Sequence, residues 1–171
     1  SQEFINDLRN VNDGASMLLG STMDSLRASS ILKNMRTLHI RMKQHSKNAA
    51  FLADKFQNDG LKTVYPGLES HPMHQIAKEQ MSGYSGMISF ELKGGLESGK
   101  ALMNNVDLCL LAESLGAVES MITHPATMTH VDVPKDQRLA RGFSDGLVRL
   151  SVGIENVIDI ISDLEQALEK A

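Results

Sequence analysis

One arginine lies on a strand-like, otherwise apolar run. In Leu147-Val148-Arg149-Leu150-Ser151-Val152, a period of two puts Val148, Leu150 and Val152 on one face and Leu147, Arg149 and Ser151 on the other. A guanidinium held rigidly among apolar neighbours is costly unless an anion meets it. A glutamate of the chain would make it a structural salt bridge; a ligand carboxylate would make it a bidentate clamp. Spacing leaves both readings open. Glu113-Ser114-Leu115-Gly116 is a second candidate, because a glycine after a short apolar run permits a tight turn whose backbone N–H groups can face an anion. Most such turns are only turns.

Other chemistries find less support. The histidines are His39, His45, His71, His74, His124 and His130. None has the His-Glu-x-x-His spacing of a zinc helix, and His39 and His45 lie on or beside a helical stripe, where packing is the ordinary role. No metal site is expected. There is no Gly-x-Ser-x-Gly elbow, and Cys109 sits within Leu108-Cys109-Leu110-Leu111, where a buried, inert thiol is the default. Gly94-Gly95 and Gly99 lack the lysine and hydroxyl of a phosphate loop. The methionines fall mostly at stripe positions and read as core filler.

The elements that must position these residues can be read from periodicity. Ile31, Met35, Leu38, Met42, His45, Ala49, Leu52 and Phe56 are spaced by alternating fours and threes, one stripe of a helix. Thr22 or Asp24 can cap it and Asn58-Asp59-Gly60 can stop it. A helix over 22–59 would be on the order of 50 Å long, more than a compact domain of this size needs, so it is expected to connect two domains. Before it, Phe4, Ile5, Leu8 and Val11 mark a short helix. After it the texture is α+β. Lys62 to Tyr65, Gly86 to Leu92, Val106 to Leu111, Val118 to Thr123 and Leu147 to Val152 read as short strands. Helices are expected after Pro72, over Leu96 to Asn104, and from Asn156 to Lys170 with Val157, Ile158, Ile161, Leu164 and Leu168 buried. The expected fold is a small, mostly antiparallel sheet with helices on one face, preceded by the long connecting helix.

Composition bounds the function. The 171 residues carry 17 basic and 21 acidic side chains, a net charge of -4, without the basic surplus of a nucleic-acid binder. The longest apolar run, Leu108 to Ala112, cannot span a bilayer, and the first residues lack a signal pattern. The single cysteine excludes an internal disulfide framework and fits a reducing compartment. A cytoplasmic globular protein is the expectation. The chain also opens on an acidic amphipathic segment with no sign of a natural beginning.

Several segments together resemble one family. Residues 114–130 (SLGAVESMITHPATMTH), residues 147–155 (LVRLSVGIE) and the LEQAL end at 164–168 are similar to the carboxy-terminal part of the pyridoxal-phosphate enzymes of the trans-sulfuration, or Cys/Met metabolism, family. Upstream, residues 35–49 (MRTLHIRMKQHSKNA), 64–81 (VYPGLESHPMHQIAKEQM) and 86–95 (GMISFELKGG) fit the same family in the same order. The resemblance covers essentially the whole chain. One departure is Lys33-Asn34, where relatives usually carry Arg-Gly, which puts in doubt whatever packing that pair mediates.

The resemblance implies a fold-type I carboxy-terminal domain at 60–171, a connecting helix at 22–59, and at 1–21 the tail end of a cofactor domain. It implies that Arg149 clamps the substrate α-carboxylate, that Ser114 lines the same subsite and that Thr129 borders the pocket. It implies pyridoxal phosphate as cofactor, but the lysine context Ser-x-Thr-Lys-Tyr that holds it has no counterpart here, so cofactor-binding residues stay unassigned and this chain alone is expected to be inactive. Members are typically homotetramers acting on small amino-acid substrates. A glutamate at position 113 resembles the cystathionine-processing branches, gamma-lyase and gamma-synthase, and could pair with the distal ammonium of cystathionine. The alternatives are a relative acting on methionine or O-acetylhomoserine, and a noncatalytic interaction module.

Overall fold

The computed structural model describes residues 1–10, 14–20 and 23–171; Val11 and Thr22, named above, lie outside the described residues. The chain divides into two compact units, Ser1–His39 and Ile40–Ala171. In the first, α1 (Gln2–Arg9) is capped by the Ser1 hydroxyl, which accepts from the Phe4 N–H. Helix α2 (Ala15–Leu19) and helix α3 (Ser25–Met35) follow. Asp24 caps α3 by accepting from the Arg27 N–H at 2.9 Å, and no residue of α1 or α3 is buried.

The expected continuous helix over 22–59 is corrected. Helix α3 ends at Met35, the backbone turns at Arg36–Thr37, and α4 runs from Leu38 to Asn58. Thr37 supplies a reason, since its hydroxyl donates to the Asn34 carbonyl and so competes with the backbone ladder. The stripe itself divides by burial. Ile31, Met35, Leu38 and Met42 are exposed, whereas His45, Ala49, Leu52 and Phe56 are buried.

The second unit is α+β: β1 (Lys62–Val64), α5 (His74–Gln80), β2 (Met87–Glu91), α6 (Gly95–Asn105), β3 (Leu110–Leu111), β4 (Met121–Thr123), α7 (Lys135–Ala140), β5 (Leu147–Ser151) and α8 (Val157–Leu168) follow α4. The sheet order is β1-β2-β5-β4-β3. All pairings are antiparallel except β3 with β4, so the mostly antiparallel α+β fold read from sequence is the one found. The expected buried stripe of α8 is corrected at Ile158, which is exposed, while Ile160 and Ala167 are buried instead; α7, which no apolar stripe announces, is not among the expected helices.

The core lies on one face of the sheet. Ile88 and Phe90 of β2, and Val148 and Leu150 of β5, join Leu52 and Phe56 of α4, Leu102 of α6, and Ile160 and Leu164 of α8 in one cluster. The rings of Phe56 and Phe90 tilt together at 4.9 Å. Helix α4 is also bonded to the chain just beyond β5. His45 Nδ1 lies 2.6 Å from the Val152 carbonyl, and the Asn48 amide donates to the carbonyls of Gly153 and Glu155. These contacts fix the strand that carries Arg149. Asn156 caps α8 by accepting from the Ile158 N–H at 3.1 Å.

Candidate functional site

Arg149 lies at the centre of the sheet, on the face opposite the core. It is in register with Ser89 of β2 on one side and Thr123 of β4 on the other, so the three side chains form a polar row across three strands. Such directly opposed pairs stand about 5 Å apart at Cβ.

The parallel pairing of β3 and β4 dictates what covers this row. A parallel pair cannot be closed by a tight hairpin, so residues 112–120 must leave the end of β3 and return to the start of β4. Carboxylates pin the chain just before each of these two strands. Before β3, Asp163 accepts from the N–H groups of Asp107 at 2.6 Å and Cys109 at 2.8 Å. Burial alone would raise the Asp163 pKa, but the backbone donors outweigh it and hold the carboxyl below its ordinary value. Before β4, Glu155 accepts from the Ser120 N–H at 2.6 Å and the Ser120 hydroxyl at 3.0 Å. The Ser120 hydroxyl in turn accepts from the Gly153 N–H.

Between those pins, three side chains of the outer face hold the loop. The Thr123 hydroxyl donates to the Ala112 carbonyl at 2.7 Å. Arg149 Nη2 donates to the Ser114 carbonyl at 3.1 Å. Ser151 Oγ accepts from the Gly116 N–H at 2.9 Å. Gly116 has φ +80°, a left-handed conformation that a side chain would strain. The N–H expected to face an anion at this glycine is therefore already bonded to Ser151.

Arg149 makes one further bond, from Nη2 to Thr123 Oγ1 at 3.1 Å. Among the described residues no carboxylate pairs with it, and its Nε is buried without a hydrogen-bond partner. The intramolecular salt bridge, one of the two readings of this residue, is not formed. A half-buried guanidinium that meets only a neutral carbonyl and a hydroxyl has unused capacity for an anion.

The structure brings Arg149 and Ser114 together, with the Ser114 backbone carbonyl rather than its hydroxyl making the contact. Glu113 is exposed beside Ser114 and has no ion-pair partner among the described residues. Thr129 stands elsewhere. It is exposed and hydrogen-bonded to His130 at 2.9 Å, whose ring stacks on Phe143 at 4.3 Å; Arg138 in turn donates to the Phe143 carbonyl at 2.7 Å and to the Asp145 carboxylate. Lys135 also pairs with Asp145 at 2.6 Å; this contact, then Arg138, holds the Asp145 carboxyl below its ordinary pKa. His124 is buried between Thr127 and the Asp145 carbonyl. Burial pushes the Cys109 thiol pKa up, which suits the inert role read from its apolar run.

Sequence reading missed Thr123 as part of this arrangement. The residues of β4 are all buried, so no alternation marks the threonine's face, and its partner lies 26 residues away. Ser151 did have a signal, the period of two that it shares with Arg149.

Comparisons with known proteins find related sequences and structures over nearly all of the chain. The family of Cys/Met metabolism PLP-dependent enzymes matches residues 3–169. L-methionine gamma-lyase of Fusobacterium nucleatum subsp. polymorphum is 53% identical over 160 residues, 92% of this chain and 40% of its own length. Cystathionine gamma-lyase of Dictyostelium discoideum is 46% identical over 141 residues, 81% of this chain and 36% of its own. A cystathionine gamma synthase from Xanthomonas oryzae pv. oryzae, solved in complex with aminoacrylate and cysteine, matches with a TM-score of 0.84 at 40% identity, covering 91% of this chain and 41% of that one. The chain thus spans about two fifths of the length of the curated relatives it matches. Among the described residues, no helix is long and apolar enough to cross a membrane.

Proposed function

The chain belongs to the family of Cys/Met metabolism PLP-dependent enzymes, and on that premise we propose that it is the carboxy-terminal, substrate-orienting portion of an enzyme that eliminates or replaces the γ-substituent of a sulfur amino acid. The observation that carries this reading is the buried, unpartnered Nε of Arg149, whose guanidinium pairs with no carboxylate among the described residues. An amino-acid substrate brings the missing anion as its α-carboxylate. The Ser114 carbonyl and the Thr123 hydroxyl orient the guanidinium toward it, and Ser114 and Glu113 stand on the adjoining turn. Thr129 borders the pocket from its own segment in this proposal.

The family's cofactor does not fit the described residues. A lysine that forms a Schiff base needs a desolvated amine without a competing partner. The described lysines are exposed apart from the half-buried Lys55, which is ion-paired to Asp59 and Glu165. We therefore assign pyridoxal phosphate to other residues of the whole enzyme and the present chain to substrate orientation. The whole enzyme is proposed to be a cytoplasmic homo-oligomer.

In that holoenzyme, Arg149→Ala should lower kcat/KM about 10²-fold for every amino-acid substrate, the loss of a charge-assisted contact worth about 3 kcal/mol. Unchanged kinetics would remove the assignment. Glu113 supports cystathionine as the substrate, because its exposed carboxylate can meet the distal ammonium. A second reading, methionine, draws support from the name of the relative that is 53% identical. Glu113→Val separates the two: a loss selective for cystathionine supports the first, and equal losses for both substrates remove it.

A further inference from the structure

The outer-face row contains one side chain whose bonding is fully determined. A guanidinium can only donate and a carbonyl can only accept. Thr123 Oγ1 lies 3.1 Å from Arg149 Nη2 and 2.7 Å from the Ala112 carbonyl. The hydroxyl must therefore accept from Arg149 and give its single proton to Ala112. The threonine is 1% exposed, so water does not compete for either bond. Its β-branched side chain is stiff at χ1, and strand pairing sets it directly opposite Arg149.

We propose that Thr123 is a positioning residue for the substrate carboxylate site. It holds Nη2 of Arg149 in place and joins that nitrogen to the start of the Glu113–Ser114 turn through Ala112. The guanidinium and the turn are then set by one hydroxyl rather than independently. Nη2 is occupied by Thr123 and Ser114, which leaves the remaining N–H groups, including the buried Nε, to meet the carboxylate. A hydroxyl that accepts from a cation and donates to a carbonyl is polarised in one direction, which strengthens both bonds. Without it the guanidinium is free to rotate about its long stem, and substrate binding must restrict that motion. The inference rests on the reading of Arg149 as the carboxylate clamp.

Because the carboxylate is not the reacting group, its contacts are made equally in the ground state and the transition state. Loss of positioning should therefore raise KM and spare kcat. The test uses the full-length holoenzyme that carries this sequence, with L-methionine and L-cystathionine as substrates. Thr123→Val keeps the shape and removes the hydroxyl; KM should rise about tenfold for both substrates with kcat within about threefold. Thr123→Ser should restore KM to within about twofold of the parent. A Val variant with parental KM, or a Ser variant as impaired as Val, overturns the proposal.

Arg149→Ala is measured in parallel. If its KM is unchanged, the clamp reading falls and this inference falls with it. If its KM rises while that of Thr123→Val does not, the clamp stands and only the role of Thr123 is lost. If Thr123→Val yields no folded holoenzyme, Thr123→Cys replaces it, with a weak thiol donor and acceptor in place of the hydroxyl. Its KM should then exceed that of Thr123→Ser severalfold, and equal values overturn the proposal.

Discussion

On the helix-covered face of the sheet, Ile88, Phe90, Val148 and Leu150 are sealed from solvent and pack in one apolar cluster with residues of α4, α6 and α8. One residue along the same strands, Ser89 and Arg149 point the other way, with Thr123 beside them, under a loop instead of helices. The first face is satisfied within the chain, since every side chain there finds its partners in the same cluster. The second is not, because Arg149 retains a buried N–H with nothing to bond. In the proposed reading, a substrate carboxylate supplies the partner that this N–H lacks.

The contrast predicts opposite responses to mutation. Phe90→Ala removes the largest side chain at the centre of the core face. It should cost about 3–5 kcal/mol of stability, the range for a buried phenylalanine truncated to a methyl group. The midpoint of urea unfolding would report it. A loss below about 1 kcal/mol would erase the energetic difference between the two faces.

Arg149→Met should behave otherwise. It keeps much of the apolar stem while removing a half-buried guanidinium that has no charge partner, and replacing a charged group taken partly out of water by an apolar one is often neutral or stabilising. Stability should stay within about 1 kcal/mol of the parent, while affinity for carboxylate substrates in the holoenzyme collapses. A stability loss of about 3 kcal/mol would instead make Arg149 a structural anchor, and the comparison would fail at its most important residue.

How far these faces could be read from sequence depends on how local their causes are. The face of Arg149 was legible because Leu147 to Val152 alternates by type. The stretch from Gly86 to Leu92 was legible for the same reason. The partner Thr123 was not, since it becomes a neighbour only through a sheet order in which β5 lies between β2 and β4. That order joins residues far apart in the chain, and no spacing rule encodes it. The same limit explains the interrupted helix. Apolar positions at helical spacing continue from Met35 to Leu38, so the stripe cannot register a turn made by Thr37 bonding back to Asn34. Thr129 matched a family segment, and that segment is held by local turns such as His130 N–H to the Pro125 carbonyl and by His130 stacking on Phe143, none of which an apolar pattern records.

The smallest expected effect comes from the rim of the outer face, where Lys62 and Glu91 are cross-strand partners and their charges meet at 2.6 Å. Lys62 is 78% exposed, so solvent screens the pair, and Glu91→Gln should change stability at neutral pH by no more than about 0.5 kcal/mol. Its pH dependence has a definite sign. The ion pair with Lys62 holds the Glu91 carboxyl below its ordinary pKa, so the folded state favours the ionised form. The contribution is therefore fully present above the unfolded pKa of about 4.3 and is lost as pH falls through the lower folded value. Urea midpoints of the parent and Glu91→Gln should differ slightly at pH 7 and low salt, and converge in acid. A Phe90→Ala deficit should persist there, because removing carbon from a core does not involve a proton. If the Glu91 difference instead grew on acidification, the carboxyl would be protonated more readily in the fold, and the rim would be repelling charge where the structure shows it paired.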